Sequence, residues 1–418
     1  MRILVITPYL PWPLNSGGNA AQFSTLKCLA RDHQFVVVCP LHQPGQLAAI
    51  AQLKRELPEV RFVGVADYSQ PQYRSRFLQI ARDIYRSARE FFLSPANSSP
   101  PLPDYPFNLA PASLLAAVAL ELEKGADICQ VEFVEMLALG AWLPKNIPKL
   151  FIHPQIHFVY ARRFIEAKGD ASGYAGYLEA VIRAQEVAYL NFFEAVVTFS
   201  REDQKILQSL PISGEVIASP FPVPADIHLG QEIPDGFDGS FFFVASETHS
   251  PNRDALEWLL ASIWPKISKA LPSATLQIVG DWTEKTKRQK AGPAIVFTGF
   301  IEDISSTLQG GIMLVPVRIG SGIRVKILIA LALGVPVVST TIGNEGIEIL
   351  DGREILLRDD PDDFAAAAIE LARNPALWRS LAIAGKDAVQ KNYSPETVRI
   401  RRNQIYERLL ARTGVQHK

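Results

Sequence analysis

Short apolar runs and helical segments alternate from the start of the chain. The first run, Arg2–Thr7, is β-branched and ends in a Pro-rich turn, which leads through Gly17 and Gly18 into a helical pattern over 20–31. A second apolar run follows at Gln34–Cys39. Because a strand, a glycine turn, a helix and a second strand make a βαβ unit, the pattern predicts a parallel sheet covered by helices.

The alternation continues through both halves of the chain. Further strands of the first half are predicted at 60–65, 128–132, 149–153 and 195–199, with helices at 46–57 and 177–193. A new series begins with a strand at 240–245 and a helix at 252–270, followed by strands at 275–279, 294–298, 311–315 and 335–339, with a helix between the last two. We therefore predict two α/β domains, each with its first strand near its own start.

Proline-rich segments interrupt this alternation. The stretch 218–239 has many prolines and little periodicity, so we place the domain junction there, which gives domains at 1–220 and 221–393. Residues 94–111 hold too many prolines for a regular element and are predicted to form an irregular loop or lid. Ser394–Glu396 has the composition of a helix start, with serine as the cap and proline in the first turn.

Composition narrows the class of protein. The chain has 418 residues, of which 48% are hydrophobic and 20% charged, and its formal net charge is −1, which argues against a nucleic-acid binder that works by bulk charge. Cys28, Cys39 and Cys129 are widely spaced in apolar segments and indicate buried thiols of a reducing compartment. The opening residues do not have the form of a signal peptide, and no run is long enough to span a membrane. We therefore expect a cytoplasmic protein.

The stretch RIGSGIRVKILIALALGVPVVS at 318–339 holds the strongest candidate chemistry. Its Gly-Ser-Gly turn can present backbone N–H groups where a helix begins, and helix N-termini favour anions. Arg324 and Lys326 add two cations to the first turn, so the group could hold a diphosphate and neutralise charge that develops on it. A plain glycine turn with two solvent-facing cations is an equally good interpretation of the residues alone.

Other candidates are weaker. Gly17 and Gly18 follow the first strand, where ligands bind in open α/β sheets, but a tight turn is about as good an interpretation. His153 ends a predicted strand and can reach a ligand, although a hydrogen bond to nearby backbone is comparable. The histidines show no metal-ligand spacing, so no metal site is expected. Residues 73–93 interleave arginines with apolar residues, which suits a peripheral membrane contact or, as the more common case, packing on the protein's own sheet.

Several segments of the second half together resemble the retaining glycosyltransferases of the large group 1 family, which includes sucrose- and glycogen-type synthases and bacterial polysaccharide glycosyltransferases. The matching segments are FFFVASETHSPNRDALEWLLASIWPKI (241–267), LQIVGD (276–281), VFTGFIEDI (296–304), LVPVRIGSGIRVKILIALALGVPVVST (314–340) and IGNEGIE (342–348). A softer likeness covers MRILVITPYLPWPLNSGG, DICQVEF and AVVTFSREDQKIL in the first half.

The resemblance implies an α/β fold of the GT-B type. Two Rossmann-like domains would face each other across a cleft, the first binding a glycan or lipid-linked acceptor and the second a nucleotide sugar. The helix at 394–418 would cross back to the first domain. Retaining members need neither a metal nor another cofactor.

The resemblance also implies roles for individual residues. Arg324 and Lys326 would hold the donor diphosphate, Gly17 and Gly18 would approach it from the opposite side, and His153 would lie near the transferred sugar. We count His153, Arg324 and Lys326 as the catalytic candidates. The other implied donor-binding residues are Phe300 near the base, Ser321 and Gly322 in the glycine turn, and Asn344, Glu345 and Gly346 at the sugar and phosphate end.

The chain departs from the family pattern at four places. Ser321 and Ile329 stand where many members have two glutamates, of which the second binds the ribose hydroxyls. An Arg and a Lys that many members carry correspond to Ser246 and a position near Asn252. Because isoleucine cannot accept hydrogen bonds, the alternative to a glycosyltransferase is a non-catalytic GT-B scaffold or partner subunit. A sugar-nucleotide 2-epimerase, which shares the fold, is a weaker third hypothesis.

Overall fold

The computed structural model describes most of the chain, and its contacts divide the chain into two compact units. The described residues are 1–14, 17–43, 45–66, 107, 109–166, 173–224, 227, 232–301, 303–320 and 322–413. The first unit comprises Met1–Thr198, Gln204–Ala218 and Arg402–Lys418, and the second comprises Phe199–Asp203 and Ser219–Arg401. The sequence placed the junction after residue 220 and the start of the returning helix at 394; the contacts change unit after Ala218 and again at Arg402.

The first unit is built on a seven-stranded sheet. Its strands are β1 Arg2–Ile6, β2 Gln34–Leu41, β3 Arg61–Ala66, β4 Ile128–Glu132, β5 Lys149–His153, β6 Ala195–Thr198 and β7 Glu215–Ala218. They pair in parallel in the order β3-β2-β1-β4-β5-β6-β7. The direction of strand order reverses between β1 and β4, so their carboxyl ends form the switch point at which such sheets bind ligands.

Helices join these strands. They are α1 Gly17–Leu29, α2 Gln46–Glu56, α3 Ala112–Glu123, α4 His157–Glu166, α5 Tyr174–Leu190 and α6 Arg201–Gln208, with a 3₁₀ helix at Val134–Ala141. Two of the predicted candidate positions lie where a helix or strand meets the sheet edge: α1 begins at Gly17, and His153 is the last residue of β5.

The second unit repeats the arrangement on a six-stranded sheet. Its strands are β8 Ser240–Val244, β9 Thr275–Val279, β10 Ile295–Gly299, β11 Ile312–Val315, β12 Val337–Ser339 and β13 Leu356–Leu357. They are parallel and lie in the order β10-β9-β8-β11-β12-β13, so the switch point of this unit lies between β8 and β11. The predicted pattern of two parallel α/β sheets is confirmed.

The helices that follow the second sheet's strands complete the chain. They are α7 Ser250–Trp258, α8 Trp264–Ala270, α9 Glu284–Lys290, α10 Ile304–Leu308, α11 Val325–Ala332, α12 Pro361–Arg373, α13 Pro375–Tyr393 and α14 Pro395–Thr413. The predicted single helix at 252–270 is wrong in one respect, because a π-helical turn at Leu259–Ile263 separates α7 from α8. Pro265 explains the break, since its missing N–H and its ring disfavour an uninterrupted α-helix.

The strands are apolar without alternation because helices cover both faces of a parallel sheet. Every residue of β4, β5 and β6 is buried, and so are the three phenylalanines of β8. The three cysteines are buried and form no disulfide, as the sequence predicts, and burial raises the pKa of the Cys39 thiol to about 12. These thiols are therefore part of the core.

Helix α14 begins as the sequence predicts. Thr397 N donates to the Ser394 hydroxyl at 3.3 Å, so the serine caps the helix. Farther along, Arg402 and Tyr406 are fully buried in the first unit, where the Tyr406 hydroxyl donates to Gln130 Oε1 at 2.7 Å. Asn403 lies 2.9 Å from His33 Nε2. Buried polar groups therefore join the end of this helix to the first sheet.

Two predicted segments lie wholly or largely outside the described residues. They are 73–93, interpreted as a membrane-facing or sheet-covering helix, and 94–111, of which residues 107 and 109–111 are described and irregular. Within the described stretches, no helix is both long enough and apolar enough to cross a membrane.

Candidate functional site

The glycine turn of the second unit places Arg324 at the start of α11. Gly320 and Gly322 have φ values of 130° and 80°, a region that side chains disfavour. Arg324 is the N-cap residue with an extended backbone, and its Nη1 donates to the Gly322 carbonyl at 2.5 Å. A Cβ on Gly320 would lie 2.6 Å from Arg324 Nη2. The missing side chain of Gly320 therefore leaves the space that the guanidinium occupies. Ser321 lies outside the described residues.

Lys326 lies in the first turn of α11, close to the end of β8. Its Nζ donates to Asn252 Oδ1 at 3.4 Å and lies 5.5 Å from the centre of the Phe243 ring. Burial lowers the pKa of Lys326 to about 7, and the positive charge of Arg324 acts in the same direction. An anion at this place would restore the charged form of the ammonium, because an opposite charge favours ionisation.

The loop after β8 completes this cluster. Asn252 Nδ2 donates to the Ser246 carbonyl at 2.8 Å, which fixes the amide whose oxygen faces Lys326. His249 is the N-cap residue of α7, and burial lowers its pKa, as do the charges of Lys326 and Arg324. The cluster of Arg324, Lys326 and Asn252 thus lies at the carboxyl side of the β8–β11 switch point. It combines positive charge with two helix N-termini, a combination that suits a phosphate group.

The remaining donor-side candidates lie on two other segments of the second unit, 344–346 and the residue after β10. Asn344 is 8% exposed, and its Oδ1 has no hydrogen-bond partner among the described residues. Gly346 has φ 80°, and a Cβ there would lie 2.8 Å from Ser200 Cβ, so the position has no room for a side chain. Glu345 is half-buried, whereas Phe300, directly after β10, is 58% exposed.

Ile329 lies on α11 between two fully buried residues, Leu328 and Ala330. Its own side chain is half-buried, as are those of Val325 and Lys326, whereas the other five residues of α11 are buried. The side of α11 that carries Lys326 and Ile329 is therefore the less buried one.

In the first unit, Gly17 and Gly18 are exposed at the start of α1. A Cβ on Gly18 would make ordinary contact with the Phe133 ring, at 3.5 Å from its Cε1. Phe133 directly follows β4 and has φ 65°, which is rare for a bulky residue and is typical of functional sites. Its ring packs edge-on against Tyr9, whose hydroxyl donates to Glu135 at 2.6 Å. The switch point between β1 and β4 thus presents two aromatic rings and a carboxylate.

His153 ends β5 and is 1% exposed. Its Nε2 lies 2.8 Å from Oε1 of Glu186, a fully buried residue of α5. The carboxylate of Glu186 also accepts the backbone N–H groups of His157 and Phe158, each at 3.1 Å, and so caps α4. Burial raises the pKa of Glu186, but the contact with His153 and the accepted N–H groups outweigh it, so the pKa falls below its usual range. Burial lowers the pKa of His157 to about 4.

The predicted site residues are thus distributed over both units. His153, Gly17 and Gly18 belong to the first unit; Phe300, Gly322, Arg324, Lys326, Asn344, Glu345 and Gly346 belong to the second. Their roles remain predictions. Sequence reasoning missed Glu186, His249 and Phe133, because their neighbours come from other elements. A clue to His249 was its place just after the first strand of the second half. No group of three or more potential metal ligands occurs in the described stretches.

A segment of the second unit matches a known protein family. Residues 239–374 match the sequence profile of the family described as Glycosyl transferases group 1, so we identify this segment as a group 1 glycosyltransferase domain. The sequence-based prediction of such a domain is confirmed.

Other proteins are similar to this chain over nearly its whole length. A Klebsiella pneumoniae protein described as an uncharacterized 44.6 kDa protein in a cps region is 21% identical over 95% of this chain and 97% of its own. Anabaena Alr3699/HepE, in a crystal structure with UDP-glucose, matches 98% of this chain and all of its own at a TM-score of 0.66 and 13% identity. S. aureus TarM, in a crystal structure that contains UDP, matches 97% of this chain and 99% of its own at a TM-score of 0.65 and 13% identity. The likeness confirms the GT-B fold class.

Proposed function

We propose that this chain transfers a sugar from a nucleotide sugar to a glycan or lipid-linked acceptor, with retention at the anomeric carbon and without a metal. The observation that carries the proposal is the cluster of Arg324, Lys326 and Asn252 at the switch point of the glycosyltransferase domain. Its two cations suit the two negative charges of a diphosphate.

The chemistry that this cluster would assist is charge separation. The bond between the anomeric carbon and the diphosphate oxygen breaks, a bond to an acceptor oxygen forms, and the leaving diphosphate takes the acceptor's proton. Negative charge develops on the diphosphate, and fixed cations in a partly dry site stabilise that charge. Arg324 is held by the Gly322 carbonyl, so its guanidinium is positioned before the substrate arrives.

The relatives support the substrate class and the context. The HepE crystal structure contains UDP-glucose and the TarM crystal structure contains UDP, so a nucleotide sugar is the donor class to test first. The Klebsiella relative lies in a cps region, which supports a role in polysaccharide biosynthesis.

Ile329 favours a second candidate function, a non-catalytic GT-B scaffold or partner subunit. The position is half-buried on α11 and offers no acceptor for ribose hydroxyls. Such a protein would bind glycan or nucleotide without turnover.

Two finer proposals rest on the sequence. The cysteine usage supports a cytoplasmic location, and the arginine and apolar residues at 73–93 support a peripheral membrane contact.

Calorimetry with UDP-glucose, followed by a panel of nucleotide sugars, tests the donor proposal. We expect saturable binding that weakens about tenfold to more than a hundredfold in Arg324→Ala and in Lys326→Ala, because a lost hydrogen bond to a charged group costs ~1.5–3 kcal/mol. Arg288→Ala and Lys285→Ala serve as matched controls, since they remove the same residue types from α9 of the same unit.

The outcomes separate the two candidate functions. Binding together with release of nucleoside diphosphate in the presence of cell-envelope glycans or lipids supports the transferase. Binding without any turnover supports the scaffold. Absence of saturable binding across the panel contradicts the donor proposal.

A further inference from the structure

Two aromatic rings lie beside a carboxylate at the carboxyl edge of the first sheet. Tyr9 follows β1, and Phe133 and Glu135 follow β4, so the three residues lie at the switch point where open α/β sheets bind ligands. The Tyr9 and Phe133 rings are 5.5 Å apart and pack edge to face, and the Tyr9 hydroxyl donates to Glu135 Oε1 at 2.6 Å. Neither the predicted site residues nor the family match, which covers 239–374, assigns these three residues a role.

The backbone holds Phe133 in a conformation that costs energy. Its φ and ψ are 65° and 148°, a region that is almost confined to glycine. The residues that follow fix this position, since the Phe133 carbonyl accepts the Met136 N–H at 3.1 Å, and Val134 and Leu137 are buried in the core. Residues held in such conformations cluster at functional sites, where the surrounding structure overcomes the strain. The ring of Phe133 is therefore presented at the sheet edge by a well-packed support.

The two rings are accessible on the surface of the first unit. Tyr9 is 43% exposed, and Phe133 and Glu135 are half-buried. Gly18, at the start of α1, is exposed as well, and a Cβ at this position would lie 3.5 Å from Cε1 of Phe133, so the glycine leaves that part of the ring uncovered by a side chain. Aromatic walls with a few fixed polar groups are the usual lining of a small-molecule site.

This combination of groups suits a sugar. A pyranose ring has C–H groups on its faces, which stack on aromatic rings, and hydroxyl groups around its edge, which donate to oxygen acceptors. A carboxylate has about four acceptor positions, and at Glu135 the Tyr9 hydroxyl uses one of them, so hydroxyls of a ligand can use others. The Tyr9 oxygen can also accept while it donates. The three residues therefore offer a saccharide an apolar surface and hydrogen-bond acceptors side by side.

The carboxylate also discriminates between neutral and anionic ligands. The negative charge of Glu135 repels a phosphate group, and one unit charge about 4 Å from another changes affinity about fivefold in water and more in a partly dry site. A neutral sugar does not meet this repulsion. A lipid phosphate without a sugar is therefore a poor ligand for this edge of the sheet, whereas a neutral saccharide unit is a good one.

We propose that Tyr9, Phe133 and Glu135 form a saccharide subsite for the acceptor, which binds a neutral sugar unit by stacking on the two rings and by hydrogen bonds to the carboxylate. This role rests on the proposed glycosyltransferase function and narrows its acceptor to the end of a glycan. Where the acceptor is lipid-linked, an earlier sugar-transfer reaction must have placed a saccharide on the lipid.

Saturation-transfer NMR of the full chain, with and without UDP, tests the saccharide subsite. The probes are the methyl glycosides of glucose, galactose, mannose and N-acetylglucosamine, the 6-phosphates of the same sugars, and geranyl phosphate as a lipid phosphate. We expect saturable binding of at least one glycoside, with the strongest saturation on the C–H protons of one ring face. Its 6-phosphate should bind at least about fivefold more weakly, and geranyl phosphate should not compete.

Variants of two residues separate stacking from charge. Tyr9→Leu should weaken glycoside binding about tenfold, because the ring surface is lost, whereas Tyr9→Phe keeps the ring and should keep most of the affinity. Glu135→Gln keeps the shape and removes the charge, so it should abolish the preference for the glycoside over its 6-phosphate. Tyr177→Leu is the matched control, since Tyr177 on α5 is 63% exposed and its substitution should leave every affinity unchanged. Circular dichroism checks the fold of each variant.

A transfer assay supplies a second measurement. Tyr9→Leu should raise the KM for the acceptor and leave the KM for the nucleotide sugar unchanged. The proposal is overturned if glycoside affinity is unchanged in Tyr9→Leu, if the ratio of glycoside to 6-phosphate affinity is unchanged in Glu135→Gln, or if no glycoside binds to a protein that binds UDP. Failure of UDP and every nucleotide sugar to bind would instead contradict the proposed function, and the glycoside titrations would still decide whether Tyr9 and Glu135 bind a saccharide.

Discussion

At the scale of single residues, the donor-side candidates depend on glycine as much as on charge. Arg324 occupies the space where a side chain on Gly320 would lie, and its guanidinium donates to the carbonyl of Gly322. Both glycines have positive φ, which lets the turn bring the cation to the start of α11. Two uncharged residues, Gly320 and Gly322, therefore determine where the positive charge of Arg324 lies.

A substitution at Gly320 tests this dependence. We expect Gly320→Ala to weaken nucleotide-sugar binding by about tenfold or more, because a methyl group 2.6 Å from Arg324 Nη2 displaces the guanidinium and a charged hydrogen bond is worth ~1.5–3 kcal/mol. Stability should fall by about 1–3 kcal/mol from the positive φ alone. Calorimetry and urea unfolding measure the two effects separately.

Gly352→Ala is the matched control. Gly352 also has positive φ, 74°, but a Cβ there would meet nothing within 4 Å. The Gly352→Ala variant should lose comparable stability and keep the wild-type affinity for the nucleotide sugar. Equal affinities in the two variants would show that the space beside Arg324 is not needed for binding.

Sequence reasoning succeeded with residues whose surroundings are local. Arg324 and Lys326 follow the glycine turn within a few residues, so their place at a helix start could be predicted from spacing alone. Glu186 could not be predicted in this way, because its contact with His153 requires that α5 pack beside the end of β5. That pair is formed by tertiary packing, which produces no recognisable pattern in the local sequence.

At the scale of elements, the last helix is joined to the first unit through buried polar groups. Tyr406 is fully buried, and its hydroxyl donates to Gln130 on β4 at 2.7 Å. Gln130 in turn donates to Glu132, whose pKa is raised by burial and lowered in part by the hydrogen bonds of Gln130 and Gln22. A network of this kind is costly to break at one member, because the others lose a partner in a dry interior.

Removing the Tyr406 hydroxyl tests how much this network contributes to the stability of the protein. We expect Tyr406→Phe to lower the free energy of unfolding by about 1–3 kcal/mol, since it leaves the Gln130 oxygen buried without its donor. Urea unfolding followed by circular dichroism measures the change. Tyr177→Phe is the control, because Tyr177 is 63% exposed and its substitution should have almost no effect. An unchanged midpoint in Tyr406→Phe would mean that water replaces the lost hydroxyl.

The elements themselves were largely predictable. Continuous apolar runs bounded by Gly and Pro predicted strands such as β4, β5 and β9 at the residues where the structure has them. The interruption between α7 and α8 was missed because the apolar spacing of 252–270 continues across it, and only Pro265 disturbs the backbone. Periodicity reports which face is buried, whereas the hydrogen-bonding pattern within a helix also depends on backbone donors.

At the scale of the whole molecule, the structural likeness and the family match cover different lengths of the chain. The structural likeness covers nearly the whole chain, whereas the family profile matches 239–374, which lies wholly inside the second unit. The cationic cluster lies in that same unit. The proposed donor chemistry is thus supported by sequence and geometry together, while the first unit contributes its fold and the proposed saccharide subsite.

Ligand-linked stability of the whole chain gives a pH-dependent prediction. Lys326 has a pKa of about 7 in the free protein, so it is charged below pH 7 and neutral above it. UDP-glucose, whose diphosphate does not titrate in this range, binds the charged form better. We therefore expect its affinity to fall by up to about fiftyfold between pH 7 and pH 9, and the thermal stabilisation at fixed ligand concentration to shrink with it.

Lys326→Arg is the control that isolates this group, because a guanidinium keeps its charge throughout the range. In that variant the stabilisation by UDP-glucose should be nearly independent of pH from 7 to 9. The lowered pKa of His249 makes it titrate below this window, so it does not contribute to the expected change. Differential scanning fluorimetry at several pH values, with and without ligand, measures the effect. A wild-type stabilisation that stays constant across the window would show that the charge of Lys326 does not contribute to donor binding.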